Sequence, residues 1–214
     1  PVAAFRTQIL ILVFYTVLVF FVFFHWGIWI DLFYPFSLSI VIYAVATLSR
    51  TLYEVKKREL IENELKVASQ IQKSFLPPSV PEHEGLELAV YMKPAKAVGG
   101  DLYAFIPLDD EKMGVMLGDV SGKGTPAALF MAKTVSEFKF SAREKTDPAE
   151  VLTELNNSIA SESTGGLFVT LAYVIFDTRH HKLWMSNGGH LPVICVKPDG
   201  QAEQLTAEGG MPIG

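Results

Sequence analysis

The sequence is poor in cysteine and has no excess of basic residues. Its 214 residues include one cysteine, Cys195, which excludes an intrachain disulfide and a zinc site built from several cysteines. Lys and Arg number 18 against 23 Asp and Glu, so the net charge is −5 at pH 7. Because nucleic-acid binding draws on a positively charged surface, this balance predicts no nucleic-acid partner.

Charge is almost missing from the first 49 residues. They contain one basic residue, Arg6, and one acidic residue, Asp31, and about 73% of them are hydrophobic. The other 165 residues are about 42% hydrophobic, which is ordinary for a soluble domain, and they carry the whole net charge. The two parts of the chain therefore face different surroundings.

Residues 1–49 contain two uncharged runs that predict a transmembrane hairpin. Spans of about 9–30 and 32–49 are long enough to cross a hydrocarbon core of about 30 Å. A cleaved signal peptide and a buried hairpin of a soluble protein are the alternatives; two long runs without a polar face count against both. Four basic residues within 50–58 follow the second span and predict that this side is cytoplasmic.

A helical linker is predicted over residues 50–76, which lack glycine and proline and are rich in Glu, Lys, Leu and Ala. Ile61, Ala68 and Phe75 are spaced by seven. This spacing is typical of a short coiled coil, which would allow a homodimer, but the same stripe could pack on the next domain. The prolines at 77, 78 and 81 end the helix and begin a new domain over 77–214.

The pattern over 77–214 alternates strands with one pair of helices, which predicts an α+β class with helices covering a sheet. Thr125 is the predicted N-cap of the first helix. The predicted helices are 126–143 and 148–160, and the predicted strands are 86–93, 101–107, 113–120, 167–177, 182–186, 192–197 and one that begins at 201.

Two segments place an acid beside glycine at a strand end. Asp101 begins one predicted strand and Asp119 ends its neighbour, so a short hairpin brings the two carboxylates together. Such a pair repels unless a cation lies between the acids or one is protonated, and hard oxygen ligands suit Mg²⁺ or Mn²⁺. Each acid alone could instead be a turn or capping residue. The loop after Gly118 is not a P-loop, because its spacing is one residue short and glycine follows Lys123.

From about Val67 onward the chain resembles the metal-dependent protein phosphatases of type 2C, in particular the bacterial stage II sporulation protein E branch. The resemblance covers about 150 residues. The motifs that carry it are ASQIQKSFLPP at 68–78, VGGD at 98–101, GDVSGKG at 118–124, FVT at 168–170, SNGGH at 186–190 and GGMPIG at 209–214.

The resemblance implies a fold and a metal site. The fold is a partial α-β-β-α sandwich that holds two Mn²⁺ or Mg²⁺ ions and hydrolyses a phosphoester with activated water. Asp119 matches the bridging carboxylate, the Val120 carbonyl matches a neighbouring ligand, and Asp101 matches the other early acid. Lys123 is a candidate for substrate binding and Thr170 for contact with a regulatory helix.

One departure concerns the later aspartates of the family, from a Thr-Asp-Gly stretch and from near the C-terminus. Neither occurs before Gly214, so we expect a phosphatase domain truncated at its C-terminus, an incomplete metal site and slow turnover by residues 50–214 alone.

The resemblance also implies a biological role. It implies a signal-regulated phosphatase that acts on a phosphorylated anti-anti-sigma (STAS-type) protein. The two predicted spans add that the protein is multi-pass, in contact with lipid and located in the bacterial inner membrane. The stretch around 26–35 is similar to the membrane segment after a CHASE-type sensor. The alternative is a catalytically degenerate module that binds a phosphoprotein partner.

Overall fold

The computed structural model describes residues 2–27, 33–94, 96–162, 166–205 and 210–214. The chain divides into two compact units, Pro1–Asn63 and Glu64–Gly214. The first unit is helical, whereas the second contains every described strand. The two units are described separately below.

Two long helices, α1 (Val2–Trp26) and α2 (Phe33–Phe75), account for the first unit and the start of the second. Gly27 ends α1 with a φ of +66°, and its N–H donates to the Phe23 carbonyl at 2.8 Å. Both helices are long and apolar enough to cross a membrane, and 6% of the Ile9–Trp26 window is buried. A buried soluble hairpin would hide these side chains, and in the described residues most of them are exposed.

The helix α2 joins two predicted elements without a break. The predicted second span and the predicted linker form one helix that ends at Phe75, just before Pro77 and Pro78. The absence of an interior glycine or proline over 50–75 explains this continuity. Residues 28–32, on which most of the predicted turn of the hairpin falls, lie outside the described residues.

The second unit is built on an antiparallel sheet in the order β1-β2-β3-β4. The register pairs Asp101 with Asp119 and Asp119 with Thr170. The strands are β1 (Asp101–Pro107), β2 (Lys112–Val120), β3 (Val169–Asp177) and β4 (Lys182–Gly188); β5 (Val193–Val196) and β6 (Ala202–Leu205) form a separate two-stranded ribbon.

One face of the sheet is covered by α3 (Thr125–Ser141) and α4 (Pro148–Glu162). The buried side chains of this face come from alternate strand positions, as the two-residue period of a strand requires. They form one core with the inner sides of the helices, including Leu102, Met116, Leu171, Tyr173, Phe138 and Leu155. We call this the inner face and the opposite one the outer face.

Two local predictions need correction. The predicted strand 86–93 is not formed, because beyond the single bridge between His83 and Leu86 no described strand pairs with it. Thr125 is the first helical residue, and Gly124 with a φ of +78° is the N-cap, without a side-chain cap. The predicted mixture of helices and sheet is confirmed. The second sheet, among the described residues, is the two-stranded ribbon, so the partial sandwich stays a prediction.

Candidate functional site

Three polar residues form a row across the outer face of the sheet. Asp101 begins β1, Asp119 lies opposite it near the end of β2, and Thr170 lies opposite Asp119 on β3. Their side chains share one face because directly paired residues of an antiparallel sheet point the same way. The predicted proximity of the two acids is therefore confirmed, and Thr170 joins them.

The two acids perturb one another. The pKa of Asp119 is raised, first by partial burial and then by the negative charge of Asp101 and a hydrogen bond with its carboxyl group. His190 and the Val120 backbone N–H act in the opposite direction. Two carboxylates that are held so close favour a cation between them, since a positive charge removes the repulsion.

His190 contacts the row through Thr170. The Thr170 hydroxyl lies 2.8 Å from His190 Nδ1 and donates to the Asp119 carbonyl at 3.3 Å. A hydroxyl has one proton, so Nδ1–H is then the donor to Thr170 Oγ1. Burial lowers the pKa of His190, although the charges of Asp119 and Asp101 oppose this shift.

The turn that carries His190 is held by one side chain. Asn187 Oδ1 accepts the His190 N–H at 2.7 Å, and Asn187 Nδ2 donates to the His190 carbonyl at 3.1 Å. These bonds place the imidazole at the end of β4, beside the row. Asn187 thus stabilises the turn, and His190 adds its contact with Thr170.

Glycines before β1 allow a close approach of the backbone. A Cβ atom on Gly100 would lie 2.7 Å from the Val120 carbonyl oxygen and 2.9 Å from Asp119 Oδ1. Only glycine leaves this space, which is bordered by a carbonyl oxygen and a carboxylate oxygen. The preceding Gly99 is bonded to Gln72 of α2 by both of its peptide groups.

A cavity of about 430 Å³ opens beside the two acids. It lies between the unpaired segment 88–93 and the outer face of β1 and β2, and His190 closes one side. Its lining is polar at Asp101 and Asp119 and apolar at residues such as Leu117.

The donor set fits a hard divalent cation. Asp101 and Asp119 offer carboxylate oxygens, and the Val120 carbonyl oxygen borders the glycine gap next to Asp119. Within the described ranges, no group of three or more His, Cys, Asp or Glu side chains is placed to hold a metal ion. The two carboxylates and the Val120 carbonyl are thus the candidate ligands that this part of the chain supplies.

Other residues considered from the sequence lie further from the row. Lys123 is exposed in the loop between β2 and α3, and its role in substrate binding stays a prediction. Gln72 lies in the motif at 68–78, but the sequence did not indicate a function for it. Its partner, Gly99, is 27 residues away and comes near only in the folded domain.

Comparison with known proteins finds similarity to one family of bacterial phosphatases. The family model of stage II sporulation protein E (SpoIIE) matches residues 109–214. Phosphoserine phosphatase RsbU of Bacillus subtilis is 30% identical over 132 residues, which are 62% of this chain and 39% of the relative. Phosphoserine phosphatase RsbP of the same organism is 24% identical over 150 residues, covering 68% and 37%. The chain thus spans about two fifths of the length of these relatives.

Solved structures agree on the fold. The SiaA-PP2C domain of Pseudomonas aeruginosa superposes with a TM-score of 0.63 at 23% identity, over 74% of this chain and 64% of that one. A Mycobacterium tuberculosis structure of RsbU and RsbW domains gives 0.51 at 22% identity, over 56% and 33%. The globular part of the chain thus has a PP2C-type fold, and residues 109–214 within it match the SpoIIE family model.

Proposed function

We propose that this protein is a membrane-anchored, signal-regulated protein phosphatase. It hydrolyses phosphoserine or phosphothreonine on an anti-anti-sigma (STAS-type) protein with the help of Mn²⁺ or Mg²⁺. The observation that carries the proposal is the juxtaposition of Asp101 and Asp119 on one face of a PP2C-type sheet. Two relatives named phosphoserine phosphatases, RsbU and RsbP, support the substrate class.

Asp101, Asp119 and the Val120 carbonyl would hold the cations. When bound, a divalent cation supplies Lewis acidity that activates water toward a phosphoester. The two carboxylates would bind the cation. The missing side chain at Gly100 leaves the space next to Asp119 and the Val120 carbonyl free. Thr170 and His190 border the site and fix the edge of β3 against the SNGGH turn.

No covalent intermediate is part of this proposal. Phosphoryl transfer needs positioning and electrostatic stabilisation more than a protein nucleophile. The single cysteine, Cys195, lies in β5 and does not line the cavity beside the acids. The proposal therefore assigns direct hydrolysis by water.

Membrane anchoring is supported by composition and helix length. Ile9–Trp26 and the first part of α2 are long and apolar enough to cross a membrane, and basic residues follow the second span. Because α2 is one helix, a rotation or shift of its first part reaches its last turns through the backbone. This continuity supports control of the phosphatase by a signal at the membrane. The seven-residue spacing of Ile61, Ala68 and Phe75 supports a homodimer formed through this helix.

The test is phosphate release from a phosphoserine-containing STAS-type protein by the native protein in membranes, with and without Mn²⁺. We expect Asp119→Asn to lower kcat on the order of 1,000-fold, because several kcal/mol of charge stabilisation depend on the cation. Asp110→Asn is the matched control, since Asp110 is exposed in the turn between β1 and β2.

The outcomes separate the proposal from its rival. Mn²⁺-dependent release that Asp119→Asn abolishes and Asp110→Asn leaves intact supports the phosphatase. A native protein that binds the phosphorylated partner but releases no phosphate at any Mn²⁺ concentration contradicts it and supports the degenerate binding module.

A further inference from the structure

We infer that Gln72 is a positioning residue that holds the backbone leading into Asp101. Its carboxamide forms two hydrogen bonds with the peptide groups of Gly99: Nε2 donates to the Gly99 carbonyl at 2.6 Å, and Oε1 accepts the Gly99 N–H at 3.3 Å. A carboxamide has the same donor and acceptor as a peptide group. Gln72 thus replaces a strand residue, because opposed residues of an antiparallel pair exchange the same two bonds.

The bonds of Gln72 begin an unbroken series toward the site. Gly99 is bonded to Gln72, the Gly100 carbonyl accepts the Val120 N–H at 3.2 Å, and Asp101 pairs with Asp119. Three consecutive residues are therefore held one after another. Without Gln72, Gly99 has no described side-chain or strand partner. Gly99 and Gly100 also have more backbone freedom than any other residue type.

The end of α2 is itself anchored to the domain at two more points. Lys139 of α3 donates to the Phe75 carbonyl at 2.8 Å, which satisfies an end-of-helix acceptor. Leu76 is buried in the core of the second unit. Gln72 therefore projects from a fixed helix end, and at 7% exposure it is buried, so its bonds compete little with water.

A purely structural role would make Gln72 one more stabilising contact. The position of Gly99 argues for more, because it is two residues before Asp101 and next to the Gly100 gap that borders Asp119 and Val120. A displaced Gly99 peptide also displaces Gly100, the residue that lies against the Val120 carbonyl oxygen and Asp119 Oδ1. The inference rests on the proposed function only in assigning metal binding to Asp101 and Asp119.

The test uses the full chain in detergent micelles and the variant Gln72→Met, which keeps side-chain length and helix propensity but removes both hydrogen bonds. Gln70→Met is the matched control, because Gln70 lies exposed on the same helix. We measure amide hydrogen exchange of residues 98–101 by mass spectrometry, the Mn²⁺ binding isotherm with the metal alone, and the Tm.

We expect Gln72→Met to speed exchange at residues 99–101 about 10-fold and to weaken Mn²⁺ binding about 10-fold or more. The Tm and the Gln70→Met control stay close to wild type. Gln72→Glu keeps the acceptor for the Gly99 N–H and loses the donor, so its exchange rate should lie between those of wild type and Gln72→Met.

Unchanged Mn²⁺ affinity in Gln72→Met, or unchanged exchange at residues 99–101, overturns the positioning role. A uniform loss of Tm with no selective change at residues 98–101 overturns it as well, since that is the signature of a merely structural contact. A wild-type chain that binds no Mn²⁺ contradicts the metal-dependent function instead, and the exchange rates then decide alone whether Gln72 holds Gly99.

Discussion

The inner and outer faces of the four-stranded sheet share the same strands but differ in what covers them. Leu102, Met116, Leu171 and Tyr173 of the inner face are buried under α3 and α4. Their outer-face neighbours include Asp101, Asp119 and Leu117, all of which are exposed. Burial of apolar surface stabilises the inner face, whereas the outer face keeps two mutually repelling acids. One face carries the stability of the domain and the other carries its candidate chemistry.

The largest difference between the faces should appear when a core side chain is removed. Phe138 of α3 is 0% exposed, and its ring meets that of Tyr173 at 4.9 Å in an edge-to-face contact. We expect Phe138→Ala to lower the free energy of unfolding by about 3–5 kcal/mol, because it removes apolar contacts and leaves a cavity.

Phe140 is the control for this substitution, since it lies two residues later in α3 and is 68% exposed. Phe140→Ala should change the unfolding free energy by less than about 0.5 kcal/mol. Urea unfolding followed by tryptophan fluorescence measures both variants, and Trp184 is the tryptophan of the second unit. Equal losses for the two would mean that α3 does not pack as described.

Substitution of two glycines, one at the inner face and one at the candidate site, should have effects of intermediate size. A Cβ on Gly118 would collide with the Leu171 side chain in the inner face, whereas a Cβ on Gly100 would meet the Val120 carbonyl and Asp119 in the site. We expect Gly118→Ala to destabilise the domain by about 1–3 kcal/mol.

Gly100→Ala should instead act on the site. We expect it to lower Mn²⁺ affinity about 10-fold or more, with a smaller loss of stability than Gly118→Ala. Metal binding isotherms and urea unfolding of both variants give the comparison. If both substitutions lowered the unfolding free energy and the Mn²⁺ affinity to the same extent, the assignment of stability to the inner face and metal binding to the outer face would be wrong.

The smallest effect concerns the charge of Asp119. Its pKa is raised in the folded protein by burial, by the charge of Asp101 and by their hydrogen bond. The unfolded chain therefore releases this proton first, and stability without metal falls as the pH rises through the unfolded value of about 3.9. Asp119→Asn should remove this loss and stabilise the metal-free protein at neutral pH by less than about 1 kcal/mol.

The measurement is the Tm of wild type and Asp119→Asn between acid and neutral pH, in the presence of a chelator. The two Tm values should converge at low pH and separate as the pH rises, with the variant higher. A variant that is less stable at neutral pH would show that Asp119 contributes to the fold rather than opposing it.

The sequence predicted the elements that depend on local signals. Asp101–Pro107 was predicted with the bounds that β1 has, and the Asp-Pro pair at 147–148 correctly marked the start of α4. In the structure Asp147 accepts the Ala149 N–H at 2.8 Å, which is the capping bond that such a pair predicts. The approach of Asp101 to Asp119 followed from a short hairpin, and it too was predicted correctly.

Features that depend on residues far apart in the sequence could not be predicted from local patterns. The alternating segment 86–93 has the pattern of a strand, but a strand forms only where another one accepts its hydrogen bonds. Thr170 meets His190 across 20 residues, and Gln72 meets Gly99 across 27. Residue type and spacing do not contain these pairings.

Composition and short-range spacing were thus enough for the two apolar helices and for the strand pair that carries the acids. These features depend on hydrophobic runs, strand alternation and glycine placement, all of which act within a few residues. The tertiary structure then decided that Thr170 and His190 lie beside the acids and that Gln72 holds the Gly99 backbone before Asp101, because these residues lie on separate elements. The free energy of burying one face of the sheet brings those elements together, and that energy belongs to the whole core rather than to any one segment.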